Sequence, residues 1–219
     1  MQQLITATTH KLSDMLEYDG ETVLTYKIEF PQFLSLVYSK TAQRMNTYYK
    51  ENARAFERYI RKTLYPQAVD QYRYSKENGY PVMVYEAEQV FTITYISNLY
   101  VSLYTDQYTY TGGAHGSTTR TSETWNLPRG RMMPLKAFFP PRFHYRAYSI
   151  NSIIREIERQ NAAGDSVYFE DYKENVNATF DENSFYLTPD GIVIYFQQYD
   201  IAPYSTGIPE FIIPYPRRL

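Results

Sequence analysis

Three histidines and a few closely spaced carboxylates are the side chains in this sequence whose types suit acid–base or metal chemistry. His10, His115 and His144 stand far apart in the chain, so a metal site built on any of them needs carboxylates that the fold brings close. Glu86 and Glu88 form one of the carboxylate pairs, but no neighbouring motif marks them for acid–base work. Their pattern favours charge that faces solvent.

Compact catalytic and phosphate-binding motifs are absent from the sequence. It contains no GxxxxGK[ST], GxGxxG, GxSxG or HExxH pattern. It has no Cys, which excludes a disulfide scaffold, a zinc–thiolate site, an iron–sulfur cluster and a Cys nucleophile. The 22 Lys and Arg nearly balance the 24 Asp and Glu, which argues against a general nucleic-acid binder. We therefore predict no cofactor, no metal and no nucleic-acid partner, and we favour a non-enzymatic protein over an enzyme.

A glycine-rich segment, YTYTGGAHGS, is the first of two segments that suit a binding loop. Three of its residues are glycines, which supply backbone with positive φ or allow close approach of another chain segment. Two hypotheses stay open: a specialised turn in which His115 bonds neighbouring backbone or a Tyr hydroxyl, or a binding or catalytic loop. The candidate site residues here are Tyr108, Tyr110, Gly112, Gly113, His115 and Gly116.

The second such segment is YFQQYDIAPYSTG, residues 195–207. It reads from an apolar strand into a loop that contains both Pro and Gly. Two hypotheses stay open here as well: a corner that directs the next strand, or a partner-binding tip, because an exposed Tyr on a Pro-anchored loop is a typical protein or sugar contact. The candidate site residues are Tyr199, Pro203, Tyr204 and Gly207.

The elements that must hold these loops begin with a half-buried strand over residues 22–30. Leu24, Tyr26 and Ile28 alternate there with polar residues, and Pro31 is expected to close the strand. Two further strands, at 82–96 and 100–110, are expected to form an antiparallel hairpin that leads into the glycine-rich loop.

Between these strands, apolar residues recur at helical spacing over residues 39–63. This spacing predicts a long amphipathic helix, capped by Ser39 or Thr41, broken before Pro66 and continued to about Gly79. Lys and Arg outnumber Asp and Glu in this helical region. The excess indicates either a solvated helix face or an electrostatic patch for an anionic polymer or partner.

The fold class predicted from these patterns is α+β: two closely packed subdomains, each with antiparallel strands packed against one or two helices. The first subdomain covers residues 1–127 and includes a strand at 117–127, and a proline-rich stretch begins at 128. The second subdomain covers 128–219. Its predicted elements are helices at 143–160 and 167–176, a hairpin at 184–198 around Pro189-Asp190-Gly191, and a strand at 210–215.

The two loops also carry a resemblance to a known family. The GGAHG loop after a Tyr-rich strand, then LKAFF, an Ile-rich helix and FYLTPDGIVIYFQQYDIAPYSTG, resembles a bacterial extracytoplasmic domain of unknown function. That domain occurs in the lysozyme-responsive anti-sigma factor RsiV and beside the catalytic domain of the peptidoglycan deacetylase PdaC. The N-terminal third, with its FPQF strand and basic helix, resembles the companion domain that precedes it. The resemblance spans about residues 20–216.

The resemblance implies a binding or sensing module outside the cytoplasm, secreted or membrane-anchored, and it offers no catalytic residues to this chain. Its implied partners are peptidoglycan, another cell-wall component, or a wall-acting protein such as lysozyme. The sequence shows no signal peptide and no transmembrane segment, which leaves two hypotheses open: a cytosolic protein, or a segment separated from an upstream signal peptide or anchor. Two alternatives stay open: a hydrolase acting on glycan or peptide through His115, and a structural or dimerising domain.

Overall fold

The computed structural model describes residues 4–164 and 167–216. A long antiparallel hairpin opens this part of the chain, formed by strands β1, Thr6–Tyr18, and β2, Glu21–Leu34. Asp19 and Gly20 connect the strands with φ of 52° and 78°, and this left-handed pair matches the twist of a two-residue hairpin turn. The sequence patterns did not predict β1, because no face of this strand is buried along its length and the strand carries no alternation of polar and apolar residues.

Strand β2 has the predicted alternation but continues beyond its predicted end. Leu24, Tyr26 and Ile28 are buried, whereas Lys27 between them is exposed. Pro31 does not close the strand. The parallel register with the next strand ends at Ile28, so the missing N–H of Pro31 interrupts no ladder on that side.

A helical region follows β2 and covers the predicted span without a break. Helix α1, Ser39–Tyr59, passes through a π-helical turn, Ile60–Leu64, into α2, Tyr65–Asn78. The prediction of a break before Pro66 is therefore wrong. Pro66 lies in the first turn of α2, directly after the π-helical turn, in which the Tyr65 N–H bonds to Ile60 O.

The sequence predicted the C-terminal end of this helical region correctly, but it did not predict the N-terminal cap. Neither Ser39 nor Thr41 caps α1; Tyr38 occupies the N-cap position, and its side chain makes no capping hydrogen bond. Gly79 ends α2 in the left-handed conformation, with φ of 72°, as predicted.

Strand β3, Tyr85–Ile96, pairs with β2 in parallel. The segment from β2 through α1 and α2 to β3 is thus a β–α–β crossover, which the prediction of only antiparallel strands did not include. Strands β4, Tyr100–Tyr110, and β5, Ser117–Asn126, follow close to their predicted bounds. A two-residue strand β6, Arg131–Met132, completes a six-stranded sheet in the order β1-β2-β3-β4-β5-β6.

The C-terminal elements build a smaller, three-stranded antiparallel sheet and two helices. Helix α3 spans Tyr145–Ala162, and LKAFF forms a short 3₁₀ turn, Leu135–Phe138, where a strand edge was expected. Helix α4 spans Tyr172–Thr179 and begins five residues later than predicted, because the Phe169 N–H bonds to Ile201 O instead of joining a helix. The strands are β7, Phe185–Leu187, β8, Ile192–Tyr195, and β9, Glu210–Ile213, in that order.

The chain divides into two compact units that are not continuous in sequence. The first comprises residues 1–91, 105–119 and 128–130, and the second comprises 92–104, 120–127 and 131–219. In the first unit α1 packs on β2 around buried side chains such as Met45. In the second unit a core of Ile, Leu and Phe side chains joins α3 and α4 to the three-stranded sheet.

The α+β class with two subdomains is confirmed, whereas the boundary between 127 and 128 stays a prediction. Among the described residues, no helix is long and apolar enough to cross a membrane.

Candidate functional site

The glycine-rich loop between β4 and β5 depends on its glycines in both predicted ways. Gly112 and Gly113 have φ of 93° and 92°, a conformation that other residues adopt only with strain. Gly116 is buried, and a Cβ there would lie 2.3 Å from the Tyr108 ring and 2.5 Å from the Thr109 carbonyl oxygen. The Tyr108 ring thus packs against the backbone at Gly116, at the C-terminal end of the loop.

His115 and Tyr110 both bond to carbonyl groups of this same loop. The Nδ1 atom of His115 lies 2.9 Å from Gly116 O, and the Tyr110 hydroxyl donates to Gly113 O at 3.1 Å. The His115 side chain is otherwise exposed. The hypothesis of a specialised turn describes this geometry, and a binding role for the loop stays a prediction.

A metal centre has no support in the described part of the chain. Residues 4–164 and 167–216 contain no group of three or more His, Asp or Glu side chains placed to hold a metal ion. Glu86 and Glu88 are exposed on β3, as their pattern suggested.

The second loop, between β8 and β9, is locked at its start by the half-buried carboxylate of Asp200. The Gln197 N–H donates to Asp200 Oδ2 at 2.8 Å, and the Asp200 N–H donates to Gln197 O at 3.2 Å. Burial raises the pKa of Asp200, although the bond from Gln197 favours its charged form. This reciprocal pair closes a tight turn around Tyr199.

Tyr199 stands in a conformation that is costly for a bulky residue. Its φ is 68°, in the left-handed region, where a residue with a Cβ pays about 1–2 kcal/mol. The side chain is nevertheless 56% exposed, so burial of the ring does not compensate for that cost. A strained backbone that holds an aromatic ring toward solvent is typical of a functional position.

A second ring lies beside Tyr199 on the same loop. The Tyr199 and Tyr204 ring centroids are 6.0 Å apart and tilted by 34°. Pro203 precedes the short 3₁₀ turn Tyr204–Thr206, and Gly207 ends it with φ of 75°. The four predicted residues of this loop therefore form one local structure, with two tyrosine rings on a framework set by Pro and Gly.

A cluster of side chains around the buried Arg120 is linked to this loop, and the sequence patterns did not predict it. Arg120 is only 9% exposed, and it forms an ion pair with Glu210 on β9. Its guanidinium carbon lies 3.7 Å from the Tyr104 ring centroid and 5.7 Å from that of Tyr195. We call Arg120, Tyr104, Tyr195 and Glu210 the arginine cluster.

The arginine cluster is joined to the second loop by two hydrogen bonds between the Gln197 side-chain amide and the Arg120 backbone. The Arg120 N–H donates to Gln197 Oε1 at 3.0 Å, and Gln197 Nε2 donates to Arg120 O at 2.7 Å. Burial raises the pKa of Tyr195 to about 12, and burial with the Glu210 carboxylate raises that of Tyr186. Both phenols therefore stay neutral at physiological pH.

The structure assembles each predicted loop within one compact unit. The residues of the glycine-rich loop belong to the first unit, and Tyr199, Pro203, Tyr204 and Gly207 belong to the second. Arg120 escaped notice because it lies in the polar run STTRTSETWN, where nothing in the spacing marks a buried cation.

Two family models match separate parts of the chain. Residues 18–118 match the family described as Deacetylase PdaC, and residues 136–216 match Protein of unknown function (DUF3298). The resemblance inferred from the loops is thus confirmed: the chain joins a PdaC-type segment to a DUF3298 segment. No curated protein matches it.

Two solved structures of DUF3298 family proteins share the fold. One is from Bacteroides fragilis, with a TM-score of 0.71, 20% identity, and coverage of 97% of this chain and 91% of that one. The other is from Pseudomonas aeruginosa, with a TM-score of 0.59, 16% identity, and coverage of 96% and 92%. At these identities the likeness shows the fold alone.

Proposed function

We propose that this protein is a non-enzymatic binding module that acts outside the cytoplasm, with a cell-wall component or a wall-acting protein such as lysozyme as its ligand. The observation that carries the proposal is Tyr199, an exposed ring on left-handed backbone locked by Asp200. Rings held in a fixed place lose little conformational entropy on binding, which is why rigid tyrosines serve as contact residues.

The second loop suits a flat, partly apolar ligand. Tyr199 and Tyr204 present two neighbouring rings, and the polar hydroxyls at their edges suit hydrogen bonds to a sugar or a peptide backbone. Two hydrogen bonds between Gln197 and the Arg120 backbone tie the start of this loop to the arginine cluster. The location outside the cytoplasm rests on the family resemblance.

The test is binding to purified peptidoglycan by co-sedimentation and to lysozyme by titration calorimetry, with the protein and its Tyr199→Ala variant. We expect Tyr199→Ala to weaken binding at least about 30-fold, the loss typical of a central aromatic contact. Tyr80→Ala is the matched control, because Tyr80 is 58% exposed and also stacks on another Tyr, with ordinary backbone.

A second variant separates strain from contact. Tyr199→Gly removes the ring and relieves the left-handed strain, so we expect a protein about 1 kcal/mol more stable that binds as poorly as Tyr199→Ala. Binding of the folded protein to neither peptidoglycan nor lysozyme would contradict the proposal, and so would equal losses in Tyr199→Ala and Tyr80→Ala.

A further inference from the structure

Three large apolar side chains project into solvent where β2 leads into α1. Leu34 is 70% exposed, Leu36 is 94% exposed and Val37 is 62% exposed. We call these three residues the apolar tip. A groove of about 270 Å³ lies beside it and is lined also by Leu4 and Ile5. A contiguous exposed apolar patch marks an interaction site more often than it marks an accident of packing.

The apolar tip is held outward by a buried serine. Ser35 is 6% exposed, and its hydroxyl donates to Leu4 O at 2.7 Å and accepts the Tyr38 N–H at 2.9 Å. Because Ser35 is fixed from both sides, its neighbours Leu34 and Leu36 must point away from the core. The hydrogen bonds of Ser35 therefore keep these leucines exposed where β2 leads into α1.

Basic residues follow the apolar tip along the chain, and acidic residues are absent from its sequence neighbourhood. Lys40 and Arg44 follow it on the first two turns of α1 and are exposed. Arg44 also donates to Gly130 O at 3.2 Å, which places the exposed Arg129 next to the same turn. No Asp or Glu occurs between Glu29 and Glu51.

We propose that the apolar tip inserts into the surface of an anionic lipid membrane, with Lys40 and Arg44 at the headgroup level. Apolar side chains flanked by Lys and Arg match the two parts of a membrane interface, acyl chains below and anionic headgroups above. The long basic side chains keep their charge in the headgroup region while the tip enters the acyl boundary. An apolar groove on a partner protein would explain the exposed apolar side chains, but it would not explain why the residues that follow them are basic and not acidic.

This inference goes beyond the proposed function and does not depend on it. Membrane contact would orient the protein on a surface, whereas Tyr199 lies in the other compact unit. Tyr199→Ala is expected to keep full vesicle binding, so failure of one proposal is distinguishable from failure of the other.

The first test is co-sedimentation of the protein with vesicles of phosphatidylcholine, alone or mixed with phosphatidylglycerol. We expect binding to the mixed vesicles, a decrease with added salt, and at least about a tenfold loss in Leu36→Asp. Met15→Asp is the matched control, because Met15 is 68% exposed and lies on the same hairpin, nine residues along β1 from the partner of Leu34.

Charge is tested with a second pair of variants. Lys40→Gln is expected to weaken binding about fivefold, and Lys62→Gln, which changes net charge equally at an exposed position far along the helical region, is expected to have little effect. Equal losses in both would show attraction by net charge alone and would overturn the proposal.

Insertion itself has a direct readout in Trp fluorescence. The single native Trp, Trp125, is buried, so Leu36→Trp adds one exposed reporter. We expect its emission to shift to the blue when mixed vesicles are added, and the emission of Met15→Trp to stay unchanged. Absence of vesicle binding by the wild-type protein would overturn the proposal, as would concentration-dependent dimers that Leu36→Asp abolishes, which would make a second copy the occupant.

Discussion

Tyr195 lies against the buried Arg120, and its hydroxyl is 3.1 Å from Ser122 Oγ and 3.4 Å from Arg120 O. At the scale of single residues, these contacts favour the charged guanidinium of Arg120 and the neutral phenol of Tyr195. A guanidinium between tyrosine rings gains from their negative faces, but the same burial penalises a phenolate. Because these tyrosines are buried in the neutral form, the free energy of unfolding decreases when the pH becomes alkaline.

We predict that Tyr195→Phe makes the stability of the protein less sensitive to alkali. Burial raises the pKa of Tyr195 from 10.0 to about 12, so the unfolded chain loses this proton at lower pH than the folded one. Its contribution is complete below pH 10.0 and is lost as pH rises toward about 12. At neutral pH the variant should lose about 1 kcal/mol with its hydroxyl contacts.

Urea unfolding at neutral pH and at about pH 11 measures both effects. The exposed Tyr80 provides the control as Tyr80→Phe. If the free energy of unfolding of Tyr195→Phe changed between the two pH values as much as that of the wild-type protein, the predicted contribution of Tyr195 would be contradicted.

Asn46 shows how one side chain on a helix completes a strand. Its Oδ1 accepts the Phe33 N–H at 2.7 Å, and its Nδ2 donates to Phe33 O at 2.9 Å. The amide of Asn46 therefore does for Phe33 what a neighbouring strand does elsewhere. At the scale of elements, this contact joins α1 to the end of β2 beyond the parallel register with β3.

We predict that Asn46→Ala destabilises the protein by about 2 kcal/mol, because a backbone donor and a backbone acceptor of the buried Phe33 lose their partner together. Asn52→Ala, at an exposed position of the same helix, should change the free energy of unfolding by about 0.5 kcal/mol or less. Similar urea midpoints for the two variants would show that the bridge to Phe33 contributes little.

At the scale of the whole molecule, the second compact unit draws on three separate stretches of sequence. Segments 92–104 and 120–127 belong with residues 131–219. The Leu187 N–H on β7 donates to Ser102 Oγ at 2.9 Å, and Ser122 Oγ donates to Phe185 O at 2.6 Å. Both serines are N-terminal to the boundary predicted from the prolines.

A fragment of residues 128–219 decides between the two divisions of the chain. The boundary predicted from the sequence implies a folded fragment, whereas the compact units imply a fragment that lacks Ser102, Arg120 and Ser122 and stays unfolded. We expect the latter, with narrow amide proton dispersion in NMR spectra. A fragment of residues 92–219, which contains all segments of the second unit, is the comparison and is expected to show wider dispersion.

The sequence by itself determined the elements and loops whose cause is local. Alternation placed Leu24, Tyr26 and Ile28 on the buried face of β2, and the glycines predicted left-handed backbone at Gly112 and Gly113. These features depend on side-chain period and on the absence of a Cβ, both of which are written in adjacent residues.

Only the tertiary structure decided the features made by residues far apart in the chain. Glu210 pairs with Arg120 across 90 positions, and Asn46 completes a strand end 13 residues earlier. The parallel pairing of β2 with β3 likewise depends on a crossover that no periodicity reveals. Periodicity predicts which side of a helix or strand faces the core. The element that packs against that side depends on contacts between distant parts of the chain, and a single stretch of sequence does not contain this information.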